Sequence, residues 1–168
     1  LTLCDLTGFD GRCAAICLTT AEVAPPDNLA ELKQYRDKML RRGAQRRSAG
    51  VFDLVVVGGG VAGISAAVAA ARLGLKVALV QNRPVLGGNN SSEVRVHLGG
   101  RINTGKYPRL GDLQKEFAPT LEGNAMPAEN YADDRKLQFV KAQPNVSLFL
   151  NHHVCGVRLK DNKTSNAG

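Results

Sequence analysis

The chain has 168 residues, a formal net charge of +7, 43% hydrophobic residues and 18 glycines. That length suits one domain, or a domain with an appendage, and supports a real hydrophobic core. No apolar run nears the ~20 residues of a membrane-spanning helix, and no charged start leads into an apolar core as in a secretory signal.

Leu1 at the start and "DNKTSNAG" at the end read as the bounds of an excerpt from a longer protein, so the compartment is left unassigned. Residues 1–24 hold short apolar pieces around "TGFDGR", expected as two strands left over from an upstream β domain. A lone hairpin of that size is marginal in water. Residues 25–50 read as a basic helix and linker. Asn28 and Glu31 have capping-box spacing, and Leu29, Leu32, Tyr35 or Arg36, and Met39 follow one helical face. The basic run from Lys33 to Arg47 has no aromatic platform or DNA-binding pattern beside it, so a solvated helix is expected rather than a nucleic-acid or lipid site. Cys4, Cys13, Cys17 and Cys155 form no C-x-x-C pair of a zinc, redox or iron–sulfur site, so no metal site is expected, and buried free thiols are expected ahead of the alternative, a disulfide.

From residue 51 the pattern changes, and 51–168 reads as one α/β domain. "FDLVVV" is a continuous apolar run, expected as a strand covered on both faces. "VAGISAAVAAARLG" is an alanine-rich helix stopped at Gly74, and "KVALVQ" is a second buried strand. "EVRVHL" alternates like a short strand. Helices are expected around "LGDLQKEF" and "AENYADDRKLQFVKAQ", a strand at "NVSLFLN" and another at "HVCGVRLK". Strands alternating with helices imply a Rossmann-like parallel sheet with flanking helices.

Gly58, Gly60 and Gly63 form G-x-G-x-x-G between the first strand and its helix, with Val61 and Ala62 between the last two glycines. In that context the motif calls for a dinucleotide: a tight turn, a backbone that a pyrophosphate can approach, and close helix–strand packing. Gln81 stands about 20 residues further on, where an acid normally grips the adenosine ribose. An amide there weakens the grip by about 1 kcal/mol and leaves Asn82 to help. Arg83, without an acid, also suits the 2′-phosphate of NADP. Gly87 and Gly88 favour a flavin cofactor, because a simple nicotinamide half-site needs no second glycine pair.

"FDLVVVGGGVAGISAAVAAARLG" followed by "LVQNRPVLGGNNSSEVRVHLGG" resembles the N-terminal FAD-binding module of bacterial FAD-dependent oxidoreductases, the broad class related to glutathione reductase, fumarate reductase and the heterodisulfide reductase A subunit. The resemblance spans residues 52–161. It implies FAD as cofactor and hydride or electron transfer on an unidentified small-molecule substrate. It also implies that Gly58, Gly60 and Gly63 hold the pyrophosphate, that Gln81 occupies the ribose position, and that Arg83, Gly87 and Gly88 line the cofactor. Gly88, Asn89, Ser91, Ser92, Gly99 and Gly100 match a segment that passes the flavin ring in fumarate-reductase-like members. Val154 falls on the strand whose backbone meets adenine. "DLTGFDGRCAAI" resembles the tail of a β-sandwich that precedes the flavin module in some members. No second glycine–aspartate motif or cap domain follows, so the remaining parts of the parent chain are expected to complete the site. The alternatives are an NADP-binding half-domain and a non-catalytic binding module.

Arg95 and His97 are candidates for chemistry: the first could bind a substrate carboxylate and the second could move a proton. They share one face of "EVRVHL" with Glu93, and a solvated strand face predicts the same alternation. His152 and His153 are adjacent and read as surface or sheet-edge residues, and Asp133 and Asp134 as decoration of an exposed helix. Thr104, Lys106 and Tyr107 lie in a loop and receive no role.

Overall fold

The computed structural model describes residues 18–20, 24–39, 48–100, 102–120, 123–154, 156 and 157. The chain forms two units, Leu1–Ala49 and Gly50–Gly168. In the first, helix α1 spans Leu29–Met39. Asn28 starts it: its Oδ1 accepts from the amides of Ala30 at 2.9 Å and Glu31 at 3.3 Å, satisfying two otherwise orphaned donors. Leu29 and Met39 are exposed, and no residue of α1 is fully buried. The expected β remnant, the four cysteines and the basic stretch 40–47 lie outside the described residues.

The second unit is built on a three-stranded parallel sheet ordered β1–β2–β3, with β1 at Leu54–Val57, β2 at Val77–Val80 and β3 at Val146–Phe149. Leu54 pairs with Val77 and Val77 with Val146, and the register runs unbroken to Val57, Val80 and Phe149. Helix α2, Val61–Arg72, makes the first crossover. The second carries α3, Asp112–Phe117, a 3-10 turn at Ala128–Tyr131, and α4, Asp133–Lys141. This is the α/β, Rossmann-like arrangement that alternating strands and helices require.

The alanines of α2 let it lie close on the sheet, and Ile64, Ala67, Val68, Val77, Leu79, Leu86, Phe117 and Val140 form the core. Burying side chains such as Ile64, Val68 and Leu79 contributes about 1.5–3 kcal/mol each. Gly74 stops α2 at φ 90°. Its amide reaches the Ala71 carbonyl at 2.9 Å and the Leu75 amide reaches Ala70 at 3.1 Å, the double bond of a Schellman cap.

Four expectations are corrected. β1 is not covered on both faces: Val56 packs on the core, whereas Val55 and Val57, which alternate to the opposite face, are 53% and 62% exposed. "EVRVHL" is not a strand. The amides of Val94 and Arg95 both turn back to the Ser91 carbonyl, Arg95 adopts φ 61°, and the backbone finds loop partners instead of a ladder. The third concerns "HVCGVRLK", whose described residues 153, 154, 156 and 157 are in no strand. The helix expected around "AENYADDRKLQFVKAQ" is interrupted at Ala132, which takes φ 50° between the 3-10 turn and α4.

Candidate functional site

The first βα turn runs from Val57 to Val61, and its glycines are needed for different reasons. Gly58 sits at φ 100°, which side chains disfavour. A Cβ on Gly63 would lie 1.8 Å from the Gly58 carbonyl oxygen, so this glycine lets helix and turn touch. Gly59, which the spacing did not single out, is buried, and a Cβ there would strike Leu86 at 2.5 Å.

Gly60 differs from all three. It caps α2 with φ −70° and ψ 179°, angles open to any residue, and a Cβ would meet only the Gly88 Cα, at 4.0 Å. Neither backbone nor packing calls for glycine there. No side chain caps the helix, so the opening amides at Val61, Ala62 and Gly63 end in bare backbone. Such a helix start, with its positive dipole end, receives phosphate oxygens.

The glycine doublet lies at the same mouth. Gly87 forms a parallel bridge with Gly60, and its amide donates to the Gly59 carbonyl at 2.8 Å. A Cβ on Gly88 would come 3.1 Å from the Gly60 Cα. The two glycine clusters, distant in sequence, therefore make one main-chain cradle without projecting side chains.

Gln81 is 5% exposed and acts as a clip. Its Oε1 accepts from the Gly59 amide at 2.9 Å, and its Nε2 donates to the Val85 carbonyl at 3.0 Å. The oxygen left open for a ribose hydroxyl in the sequence reading is thus already engaged. Asn82 beside it is exposed. Arg83 lies 3.6 Å from the Glu93 carboxylate, both partly exposed, so a nearby negative charge opposes a 2′-phosphate there. The amides of Asn151 and His152 bond the carbonyls of Arg83 and Gln81, which brings the end of β3 to the end of β2. Val154, just beyond, is 36% exposed.

Beyond the doublet the chain is fixed by its own polar groups. The Ser91 hydroxyl donates to the Gly88 carbonyl at 2.7 Å, and the Val96 amide reaches the Asn89 carbonyl at 3.0 Å. Asn90, also missed by the sequence reading, is buried; its Nδ2 donates to the Val96 carbonyl at 3.0 Å while its Oδ1 has no partner.

Asp133 is not surface decoration, as expected, but holds Ser92, accepting from its hydroxyl and, at 3.2 Å, from its amide. Asp134 is exposed. Lys136 is fully buried, donates to the Tyr131 carbonyl and lies 3.9 Å from Asp133. Burial pushes its ammonium below the usual lysine range, with Asp133 pulling the other way. Its stem supports Gly87, whose Cβ would fall 3.1 Å from the Lys136 Cδ. The Tyr131 hydroxyl lies 2.7 Å from the Arg95 carbonyl, and the Ala125 amide donates to the same oxygen at 2.9 Å. Together they hold Arg95 in its left-handed conformation. The Arg95 Nε turns back to the Ser92 carbonyl at 2.9 Å. His152 Nδ1 is 2.6 Å from the Leu150 carbonyl and its ring meets Phe149, a sheet-end role. Among the described residues no group of three or more His, Cys, Asp or Glu is placed to hold a metal, and no helix is long and apolar enough to cross a membrane.

The open cradle at Gly60 and the uncapped α2 fit the diphosphate bridge of a dinucleotide, and comparison with known proteins identifies the class. A family of proteins described as FAD dependent oxidoreductase matches residues 53–167, and the chain belongs to it. FAD is the cofactor of that class. A soluble pyridine nucleotide transhydrogenase of Ectopseudomonas mendocina (strain ymp) is 58% identical over 38 residues, 23% of this chain and 8% of that protein. A glycerol-3-phosphate dehydrogenase of Mycobacterium leprae (strain TN) is 49% identical over 49 residues, 29% of this chain and again 8% of the relative. The match thus spans less than a tenth of these relatives' length. Among solved structures, the 6-hydroxypseudooxynicotine amine oxidase of Pseudomonas geniculata N1 aligns with 60% of this chain and 11% of its own, at 25% identity and a TM-score of 0.36. Histamine dehydrogenase of Rhizobium sp. 4-9 aligns with 66% and 13%, at 19% identity and the same TM-score of 0.36.

Proposed function

We propose that this chain is the cofactor-holding part of an enzyme that moves a hydride or electrons between FAD and a small-molecule substrate, within the flavoprotein class related to glutathione reductase and fumarate reductase. The observation that carries this reading is Gly60, a glycine that neither its backbone angles nor its neighbours require, at the uncapped start of α2. Space kept free of side chains at a helix N-terminus is what a pyrophosphate needs.

In this reading the backbone of Gly58, Gly60, Val61, Ala62 and Gly63 holds the diphosphate. Gln81, Asn82 and Arg83 border the adenosine end, with Val154 beyond them. Gly87, Gly88, Asn89, Ser91 and Ser92 form the wall along which the cofactor runs toward its ring. When bound, FAD supplies the electron chemistry. The chain's own residues cradle it and fix the Gly87–Arg95 loop through Asp133 and Tyr131. Residues 51–168 form the cofactor domain, 25–50 a basic connector and 1–24 the edge of a further domain, with the rest of the site supplied by other parts of the parent protein. Exposed Val55 and Val57 on edge strand β1 are where such a part would pack.

The test is the visible spectrum of the full-length protein purified without added cofactor. A yellow protein that releases FAD on denaturation supports the assignment. A colourless protein that fails to take up FAD and instead binds NADP overturns it.

A further inference from the structure

His97 is exposed, yet its ring is not free to turn. The Asn124 Oδ1 lies 3.0 Å from the His97 backbone amide and 2.8 Å from its ring Nδ1. A backbone amide can only donate, so the Asn124 atom it meets is the oxygen. That oxygen can only accept, so Nδ1 must carry a hydrogen. In the neutral imidazole this leaves the lone pair on Nε2. The geometry thus fixes both the tautomer and the direction of the ring.

Nε2 leans over Gly99, where a Cβ would lie 3.3 Å from it. Gly99 and Gly100 begin a cleft of about 260 Å³ that continues past Asn103 to Gln114 and Lys115 on α3. The cleft is small and lined in part by polar groups. Of the charged groups close by, the Arg95 Nε is turned to Ser92, and Lys115 is 3.2 Å from Asp112.

We propose that His97, oriented by Asn124, is the proton-transfer residue of this site, acting on a small polar substrate seated in the Gly99–Gly100 cleft. The inference rests on the FAD reading above. As the substrate is oxidised, its O–H or N–H bond breaks and the proton joins Nε2; the positive charge then on the ring is stabilised by Asn124 Oδ1, which keeps the Nδ1 hydrogen throughout. FAD, where held along Gly87–Ser92, would supply the acceptor for the carbon-bound hydrogen and its electron pair. In the reverse direction the Nε2 proton returns. An acceptor that holds one tautomer is how a histidine base is commonly poised, and Asn124 is the positioning residue.

The test is ¹⁵N NMR of the full-length, FAD-loaded protein labelled at histidine, with the His97 signals assigned by their loss in His97→Gln. The expected spectrum has a protonated Nδ1 and a bare Nε2. Asn124→Asp keeps that tautomer because a carboxylate accepts the same two hydrogens, whereas Asn124→Leu gives a mixture. Adding FAD to the apoprotein moves the His97 Nε2 resonance, and dithionite reduction of the bound ring moves it again while His152 and His153, at the adenosine end, stay in place. A bare Nδ1, or an unchanged tautomer in Asn124→Leu, overturns the orientation. A fixed tautomer whose resonance ignores FAD overturns the proton-transfer role. Failure to take up FAD at all shows in the visible spectrum beforehand and overturns the cofactor reading instead, leaving the tautomer result standing.

Discussion

The Cα of Gly60 would lie 3.1 Å from a Cβ placed on Gly88, so the first βα turn and the glycine doublet meet backbone to backbone. This contact turns two short glycine clusters into a single cradle. Its two walls are not equivalent. Gly88 holds φ 61° against its neighbour, whereas Gly60 has ordinary angles and open space.

That difference gives a substitution in which folding and cofactor binding part company. Gly60→Ser places a good N-cap residue at the start of α2, where its hydroxyl can take up helix amides. The apoprotein is expected to be as stable as the parent, or more stable by a few tenths of a kcal/mol. FAD retention falls, since the new side chain occupies the diphosphate position and its amides. Urea unfolding of the apoprotein and the bound FAD per chain measure the two effects. A variant with full FAD content would remove Gly60 from the site.

How much of this was legible in the sequence depends on how far apart the partners lie. The turn at Gly58–Gly63 was readable because its requirement is local: strand, glycines and helix follow one another. The doublet's place at the same mouth followed from the family resemblance. "EVRVHL" misled because alternation is compatible with a strand and with a loop. The decision is made by Tyr131, 36 residues away, and by the Ala125 amide, which hold Arg95 left-handed. Asp133 looked like helix decoration because its partner, Ser92, is 41 residues distant. Asn124 and Lys136 gave no local signal at all, since a lone asparagine or lysine means nothing until the fold supplies its partner. The open face of β1 was missed for the converse reason. A continuous apolar run reports the burial a strand is suited to, while the cover depends on which neighbours the sheet has.

Gln81 provides a second measurement. Its amide both accepts from Gly59 and donates to Val85, and Gln81→Met keeps the volume while removing both bonds. Each buried group left unsatisfied costs about 1–3 kcal/mol. The urea midpoint should fall with no change in slope, and FAD should be lost more readily because Gly59 is no longer held under the cradle. Gln81→Glu keeps the acceptor but sets a carboxylate against the Val85 carbonyl, so it too is expected to lower the midpoint. An unchanged midpoint in the methionine variant would mean that the clip contributes nothing.

Lys136 makes stability depend on alkaline pH in a direction that can be worked out. Burial lowers its folded-state pKa below 10.5, with the Asp133 carboxylate opposing the shift. Below the folded pKa both states carry the proton and the folded one bears the cost of a buried cation. Between the folded pKa and 10.5 the unfolded chain binds more protons than the folded one, so the unfolding free energy rises with pH across that window. Lys136→Met has no such group and should lack the rise. Melting temperatures of both proteins from about pH 8 to about pH 11 are therefore expected to converge or diverge steadily, the wild type gaining on the variant as pH increases. Parallel curves would show that Lys136 titrates alike in both states. The gain should also be felt at the site, because the Lys136 stem supports Gly87. Methionine preserves that stem, so FAD retention in Lys136→Met should survive near neutral pH, whereas Lys136→Ala, which removes the support, should loosen the doublet and the cofactor together.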